Sequence, residues 1–226
     1  MASMHRVTPA RRFPLHTIEA SRRLERTAAA TLPPHTLMQR AGLAVARLAL
    51  ALAPHARTIW IACGPGNNGG DGLEAAVHLQ RWGQHPVVTW LGDEASAPED
   101  ARASLARARS AGVTFSATPP EGLGPDDLCI DALLGLGAAR APQGRMADWL
   151  RTMRASRAPV LAVDLPSGLN AETGNFAPDS IAGDDHSTPG SWQIQAQNTL
   201  SLLSCKPGLF TAHGRDAAGT VWFDDL

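Results

Sequence analysis

The stretch that decides the fold is Thr58-Ile59-Trp60-Ile61-Ala62-Cys63, followed at once by Gly64-Pro65-Gly66-Asn67-Asn68-Gly69-Gly70-Asp71-Gly72. Its first six residues are mainly apolar and predict a strand that is buried on both faces, as in a parallel sheet. The segment rich in Gly and Asn predicts a turn, and we expect the next helix over 73–82. A strand, a turn and a helix in this order begin a βαβ unit, so the stretch predicts an α/β fold.

The same alternation of strands and helices continues along the chain. Further apolar runs predict strands at 86–91, 113–115, 128–133, 160–164, 198–205 and 219–223. Helices are predicted at 17–26, 37–52, 98–111 and 146–156. This order predicts a three-layer α/β/α Rossmann-like sandwich with a mostly parallel central sheet.

Length and composition indicate one domain. The 226 residues fit a single domain, which we expect over 16–226, after a flexible N-terminal tail over 1–15. Within the domain, the polar stretch 175–197 is predicted to be a flexible loop. With Lys+Arg at 20 and Asp+Glu at 21, the net charge of −1 gives no reason to expect nucleic acid or an acidic membrane as partner.

Neither a membrane span nor an oxidising compartment is indicated. No apolar run reaches the roughly 18 residues that cross a bilayer. The three cysteines, Cys63, Cys129 and Cys205, lie far apart and form neither a zinc-binding spacing nor a disulfide framework. Such usage favours a reducing compartment, so we expect a cytoplasmic protein.

Polar residues follow three of the predicted strands. In chain order they are Asn67, Asn68 and Asp71, then Asp131, then Asp164 and Ser167. Ligands of parallel sheets bind beyond the carboxyl ends of the strands, so we expect these side chains to converge on one site. Oxygen donors without His or Cys favour a hard cation, and the few carboxylates favour a monovalent ion over a two-metal centre. A set of purely structural carboxylates, hydrogen-bonded to nearby amides, is the alternative.

One motif allows a different enzyme class. Gly64, Gly66 and Gly69 form G-x-G-x-x-G, which is found in NAD-dependent dehydrogenases. We expect Asp71 in the first turn of the following helix, where its charge would oppose a pyrophosphate. The chain has no Tyr and no His after a predicted strand to relay a proton during hydride transfer. A dehydrogenase stays an alternative, as does a nucleotide-binding domain with impaired catalysis.

Five segments, in this order, resemble a known family. They are LMQRAG at 37–42, CGPGNNGGDG at 63–72, DALLG at 131–135, DLPSGL at 164–169 and KPGL at 206–209. Together they resemble the NAD(P)H-hydrate epimerase family, the YjeF N-terminal domain, from about Ile18 to the C-terminus. The chain is similar to a stand-alone epimerase and to the epimerase part of a bifunctional NAD(P)H-hydrate repair enzyme.

The resemblance implies an isomerase of metabolite repair. Such an enzyme interconverts the R and S forms of hydrated NADH and NADPH, and an ATP- or ADP-dependent dehydratase then repairs the S form. Bound K⁺ is also implied, held by Asn68, Asp131 and Ser167, and so is a homodimer. The implied substrate contacts are Asn67, Asn68, Gly69, Gly70, Asp71, Gly135, Leu136, Gly137, Ala138, Ala139, Arg140, Ala141 and Asp164.

We assign Asp164 as the catalytic base. The hydrated carbon carries a hydroxyl group and a ring nitrogen, so it is a hemiaminal. A base that takes the hydroxyl proton opens the ring, and rotation followed by closure inverts the centre. Loss of hydroxide to an iminium ion would also invert it, and the sequence leaves both routes open.

Two residues depart from the family pattern. Glu74 stands where an apolar residue is usual, and we expect it either on a solvated helix face or in contact with the site. Asn198 stands where Asp or His is more frequent.

Overall fold

A computed structural model describes residues 4–137, 140–177 and 190–226. The strands in these ranges are β1 His5–Arg6, β2 Ile59–Cys63, β3 Pro86–Trp90, β4 Thr114–Ser116, β5 Leu128–Ala132, β6 Val160–Val163, β7 Asn198–Leu202 and β8 Thr220–Asp224. The helices are α1 Ile18–Ala30, α2 Thr36–Leu52, α3 Asn67–Arg81, α4 Glu99–Ser110, α5 Arg145–Ala155 and α6 Gly214–Ala217, with a 3₁₀ turn at Pro207–Leu209. Among the helices described, none has the length and apolar character to cross a membrane.

The strands form one sheet in the order β1-β8-β7-β6-β5-β2-β3-β4. All neighbours are parallel except β1, which pairs antiparallel with β8. The α/β fold with a mostly parallel sheet is therefore confirmed. The chain winds outward in opposite directions from β2 and from β5, which are neighbours, so a crevice opens beyond their carboxyl ends. Asp131 of β5 lies opposite Ala62 of β2, next to that crevice.

The sheet is covered on both faces, as its apolar strands predict. Ile59, Ile61 and Cys63 belong to a core shared with α2, α3 and α4. Trp60 and Ala62, which alternate with them, belong to a second core that includes α5. This period of two places every second residue of β2 in the same layer.

Helices α2, α3 and α4 pack closely on the first of these faces. A Cβ atom on Gly42 of α2 would lie 2.8 Å from the backbone nitrogen of Ala75 in α3. Beside this contact, Glu74 is only 2% exposed and accepts a hydrogen bond of 2.6 Å from Nε of Arg107 in α4. The expectation of a solvated helix face is therefore wrong, and the charge of Glu74 raises the pKa of Asp71, a predicted site residue. Glu74 forms a buried ion pair between two helices.

The described part of the N-terminal segment is not a free tail. His5 and Arg6 pair with Phe223 and Trp222 of β8, and the backbone nitrogen of His16 donates to the carbonyl oxygen of Cys205 at 2.9 Å. The unpaired edge of β8 supplies the hydrogen-bonding groups that order this segment. The flexible tail expected over 1–15 therefore does not describe 4–15.

The described flanks of the polar stretch 175–197 pack into the protein. Trp192 and Ile194 are buried in the core around α5, and the ring of Phe176 lies edge-on to that of Trp192 at 5.6 Å. Residues 178–189, where most of the flexible loop was expected, lie outside the described residues.

We predict that Gly42→Ala destabilises the protein by about 1–3 kcal/mol, the usual range for an overpacked core. The added methyl group would force α2 and α3 apart, and this outweighs the better helix propensity of Ala. Urea unfolding of the two proteins measures the difference. Gly124→Ala is the control, because its Cβ would have no neighbour closer than 3.9 Å. Equal stability of Gly42→Ala and the parent chain would contradict the packing argument.

Candidate active site

Helix α3 begins inside the segment that was predicted to be a turn. Its first residue is Asn67, six residues before the predicted start at Leu73. A Cβ atom on Gly64 would lie 2.7 Å from the carbonyl carbon of Leu133, and one on Gly70 would lie 2.5 Å from Sδ of Met38. These glycines allow the helix to start directly against the loop after β5 and against α2. Gly64 and Gly70 of the glycine-rich motif therefore allow close packing around the start of α3.

The early start of α3 changes the electrostatics of its N-terminus. Asp71 is the fifth residue of α3, and no acidic residue lies in the first turn. The N-cap residue is Gly66, which offers no side-chain acceptor to the first amides. The expectation that Asp71 opposes an anion there is therefore wrong. The free amides of the first turn suit a phosphate group.

Asp131 and Ser167 are in direct contact beyond the carboxyl ends of β5 and β6. Asp131 is fully buried, and its Oδ2 accepts a hydrogen bond of 2.8 Å from the backbone nitrogen of Ser167. Its Oδ1 accepts one of 2.6 Å from Oγ of Ser167 and one of 3.3 Å from the backbone nitrogen of Leu133. Burial raises the pKa of Asp131, and the hydrogen bonds from Ser167 oppose that rise. No cationic side chain among the described residues forms an ion pair with it.

Asn68 lies beside the same loop. A Cβ atom on Gly135 would be 3.2 Å from Oδ1 of Asn68, and the neighbouring Leu134 donates its backbone N–H to Oγ of Ser167 at 2.9 Å. The Nδ2 atom of Asn68 is buried and finds no hydrogen-bond partner in the described parts of the chain. The loop after β5 therefore connects Asn68 to the Asp131–Ser167 pair. Asp131 and Ser167 are in contact, and Asn68 lies beside the loop that follows Asp131, so oxygen donors with a single carboxylate flank this loop.

Asp164 is paired with a residue that sequence reasoning did not assign to the site. It follows β6 with a φ of 66°, a left-handed conformation that Asp tolerates better than most residues. Its Oδ1 accepts hydrogen bonds from Nζ of Lys206 and from the backbone nitrogen of Leu202. Within the described residues no hydrogen bond reaches Oδ2, so this oxygen is free to accept a proton from a ligand.

Lys206 is fully buried at the end of the segment after β7. Its Nζ also donates to the carbonyl oxygen of Leu202 at 2.9 Å and to Oγ of Ser201 at 3.3 Å. A signal for it was present in the sequence: it is the only lysine in a chain whose Lys+Arg total is 20. A buried ammonium needs a negative partner, and Asp164 provides it.

Asp71 is a carboxyl group in a different environment. Burial raises its pKa well above the ordinary value, and the negative charges of Asp164 and Glu25 raise it further, with smaller effects from Glu74 and Asp100. Asp71 therefore favours the protonated form. Asp164 instead forms an ion pair with the ammonium of Lys206. Two carboxyl groups in such contrasting environments are the usual arrangement of an acid and a base.

The loop at 135–141, which the resemblance implies to contact the substrate, is only partly exposed. No atom lies within 4 Å of a Cβ built on Gly137, and Arg140 is exposed, so both are accessible to a ligand. Leu136 packs against the small core that includes Leu165, and Ala141 is buried in the core of α5. The predicted contacts Ala138 and Ala139 lie outside the described residues.

Comparisons with known proteins agree on one family. The family described as "YjeF-related protein N-terminus" matches residues 34–208. The chain is 38% identical over 212 residues to the "Bifunctional NAD(P)H-hydrate repair enzyme Nnr" of Escherichia coli (91% of this chain, 38% of that protein). It is 34% identical over 190 residues to the "NAD(P)H-hydrate epimerase" of Limosilactobacillus fermentum (84% of this chain, 85% of that protein). The chain thus spans about two fifths of the bifunctional relative and most of the other.

A solved structure supports the fold. The crystal structure of the yeast protein YNL200c superposes with a TM-score of 0.67 at 20% identity, covering 86% of this chain and 82% of that chain.

We predict that Asp71→Asn stabilises the folded protein at neutral pH. Because folding raises the pKa of Asp71, the native state loses stability as the pH rises above the pKa of the unfolded chain, and this penalty is complete above the folded pKa. The penalty disappears as the pH falls below the pKa of the unfolded chain. The gain in melting temperature should therefore shrink on acidification. Asp126→Asn is the control, since that side chain is 74% exposed; an equal gain in both variants would contradict the assignment.

Proposed function

Because the chain belongs to the family of the YjeF-related protein N-terminus, we propose that it is an epimerase acting on the R and S hydrates of NADH and NADPH. The observation that supports this most strongly is the family match over 34–208, which contains every predicted site residue and Lys206. Relatives that the chain covers over most of their length carry the name "NAD(P)H-hydrate epimerase". Nothing in this activity needs a redox step.

The nucleotide is proposed to lie across the crevice beyond β2 and β5. The amides in the first turn of α3 bind a phosphate group of the nucleotide. The loop at Gly137 and Arg140 forms the opposite wall. This orientation brings the hydrated ring towards Asp71 and Asp164, the two carboxyl groups whose charges interact.

The reaction then needs a base and an acid. Oδ2 of Asp164 takes the hydroxyl proton of the hemiaminal, the C–O bond becomes a carbonyl, and the bond from carbon to the ring nitrogen breaks. The electron pair of the broken bond stays on the nitrogen, and the nitrogen takes the proton of Asp71. Rotation about a single bond of the opened ring turns the other face of the carbonyl towards the nitrogen. The reverse proton transfers then close the ring with inverted configuration. In the iminium route, Asp71 protonates the leaving hydroxide and Asp164 activates the water that returns.

We also propose that Asn68, Asp131 and Ser167 hold K⁺. The fit rests on the buried carboxyl group of Asp131, which has no cationic partner in the described residues, and on Oδ1 of Asn68, which lies beside the loop after β5 at Gly135. When bound, the ion supplies positive charge that offsets Asp131 and fixes the loop after β5. Asn68 and Asp131 thereby orient the wall of the substrate site.

A dehydratase is proposed as the functional partner. Relatives named as bifunctional repair enzymes support this, although the chain covers only a third or so of their length. A homodimer and a cytoplasmic location stay predictions. The dehydrogenase alternative receives no support from the relatives, and the impaired-domain alternative predicts binding of hydrates without turnover.

The activity is tested by mixing the chain with both hydrate epimers and a separate dehydratase specific for the S form. We expect both epimers to be consumed faster than they interconvert spontaneously. Consumption of the S form alone at the catalysed rate would contradict the proposal.

For Asp164→Asn we expect the epimerisation rate to fall by about 10²-fold or more, the usual contribution of a general base. The variant also leaves the ammonium of Lys206 without its carboxylate, so we expect a stability loss of about 3 kcal/mol. Circular dichroism at the assay temperature shows whether the variant is folded. Asp126→Asn is the control, and a near-normal rate in folded Asp164→Asn would contradict the role of base.

Replacing K⁺ by choline in the buffer should lower both the melting temperature and the epimerisation rate. In Asp131→Asn the melting temperature should no longer respond to K⁺, because the carboxylate that attracts the ion is absent. A parent chain whose melting temperature is the same in both salts would contradict the cation site.

A further inference from the structure

Helix α1 is fixed against the segment that carries Lys206. Oγ of Ser21 and Oγ of Ser204 are hydrogen-bonded at 2.8 Å, and both residues are buried. At the start of α1, the backbone nitrogen of Ile18 donates to Oε1 of Glu172 at 3.0 Å. Ser204 is two residues from Lys206. The face of α1 that contains Ser21 therefore covers the turn that leads to the buried ammonium.

Glu25 lies on that face. It follows Ser21 by four residues, so the two side chains are neighbours along the helix. Glu25 is partly buried, and within the described residues no hydrogen bond to its carboxyl group is formed. Burial raises its pKa, the charge of Asp164 raises it further, and the charge of Lys206 lowers it. The charges of the Asp164–Lys206 pair therefore act on the carboxyl group of Glu25, one helical turn from the contact of Ser21 with Ser204.

Other charges also face Glu25. Arg22 and Arg26, on its own helix, lower its pKa, and Asp71 of α3 interacts with it as a like charge. Both arginines are exposed, so their effects are reduced by solvent. Lys206 is fully buried, so its effect on Glu25 is screened less than that of the two arginines.

The proposed reaction removes the negative charge on which Lys206 depends. When Asp164 takes the hydroxyl proton it becomes neutral, and the hydrogen-bond acceptors that the described residues then offer the buried ammonium, Ser201 and Leu202, are neutral as well. A buried cation without a counter-charge is unfavourable. A second carboxylate near the pair would stabilise this state more than the resting state.

We propose that Glu25 is a positioning residue of the site, which supplies the counter-charge for Lys206 while Asp164 is protonated. The proposal rests on the proposed function, in which Asp164 is the base. Glu25 acts through Lys206 and Asp164, so we expect it to affect the rate of the chemical step and therefore kcat.

The kinetic test compares Glu25→Gln, which keeps the shape and removes the charge, with Glu25→Asp, which keeps the charge. We expect kcat of Glu25→Gln to fall about tenfold, with KM changed much less, and Glu25→Asp to recover part of the loss. As the pH is lowered and Glu25 becomes protonated, the rates of the parent and Glu25→Gln should converge. Glu19→Gln is the matched control, because it removes the same charge from an exposed site on the same helix.

A second measurement does not depend on activity. Lys206 is the only lysine of the chain, so protein labelled with ¹³C-lysine gives a single side-chain Cε signal. We expect this signal to move in Glu25→Gln and to stay in place in Glu19→Gln. Lowering the pH should move the parent signal towards its position in Glu25→Gln.

The outcomes separate the two proposals. A parent chain that does not interconvert the hydrates would overturn the proposed function. A parent chain that does so, together with folded Glu25→Gln of unchanged kcat and an unmoved lysine signal, would overturn the role of Glu25. Equal losses in Glu25→Gln and Glu25→Asp would also overturn it, because they would indicate a structural contact.

Discussion

The ion pair between Lys206 and Asp164 is the interaction on which the arrangement of the site depends. Burying an ammonium costs several kcal/mol unless a carboxylate and hydrogen-bond acceptors surround it. Here the carboxylate comes from the end of β6 and the acceptors come from the end of β7, so the pair fixes two strand ends to each other. The turn through Ser204 then holds α1. Removing the pair would therefore loosen a strand junction and a helix together.

Three carboxylates follow or flank the strands at this edge, and each is stabilised in a different way. Asp131 receives hydrogen bonds from Ser167 and Asp164 is paired with Lys206, whereas Asp71 has neither kind of partner within 4–137, 140–177 and 190–226. Among the described residues only the second has a cationic partner, so the three carboxyl groups lie in different electrostatic environments. Carboxyl groups in different environments at one edge of the sheet can donate and accept protons. This chemistry needs no redox-active side chain.

Much of the fold was predictable from the sequence. The apolar runs located β2, β5 and β6 because these strands are buried throughout and leave a continuous signal. The edge strand β4 was located as well, although Thr114 and Phe115 are exposed. Strand β1 was missed because His5 and Arg6 carry no apolar pattern and are ordered by the free edge of β8. The start of α3 was missed because glycines that read as a turn are required by contacts such as that of Gly64 with Leu133. Such tertiary contacts are invisible to local patterns.

The use of lysine at position 206 follows from hydrogen-bond geometry. The ammonium has three N–H groups, and its acceptors here are Oδ1 of Asp164, the carbonyl oxygen of Leu202 and Oγ of Ser201. A guanidinium would bring five donors in a planar fork and leave two of them unpaired in a fully buried place, at a cost of about 1–3 kcal/mol each. At exposed positions both groups are solvated, and there the chain uses arginine throughout. The single lysine therefore marks a place where a compact charge with three donors is required.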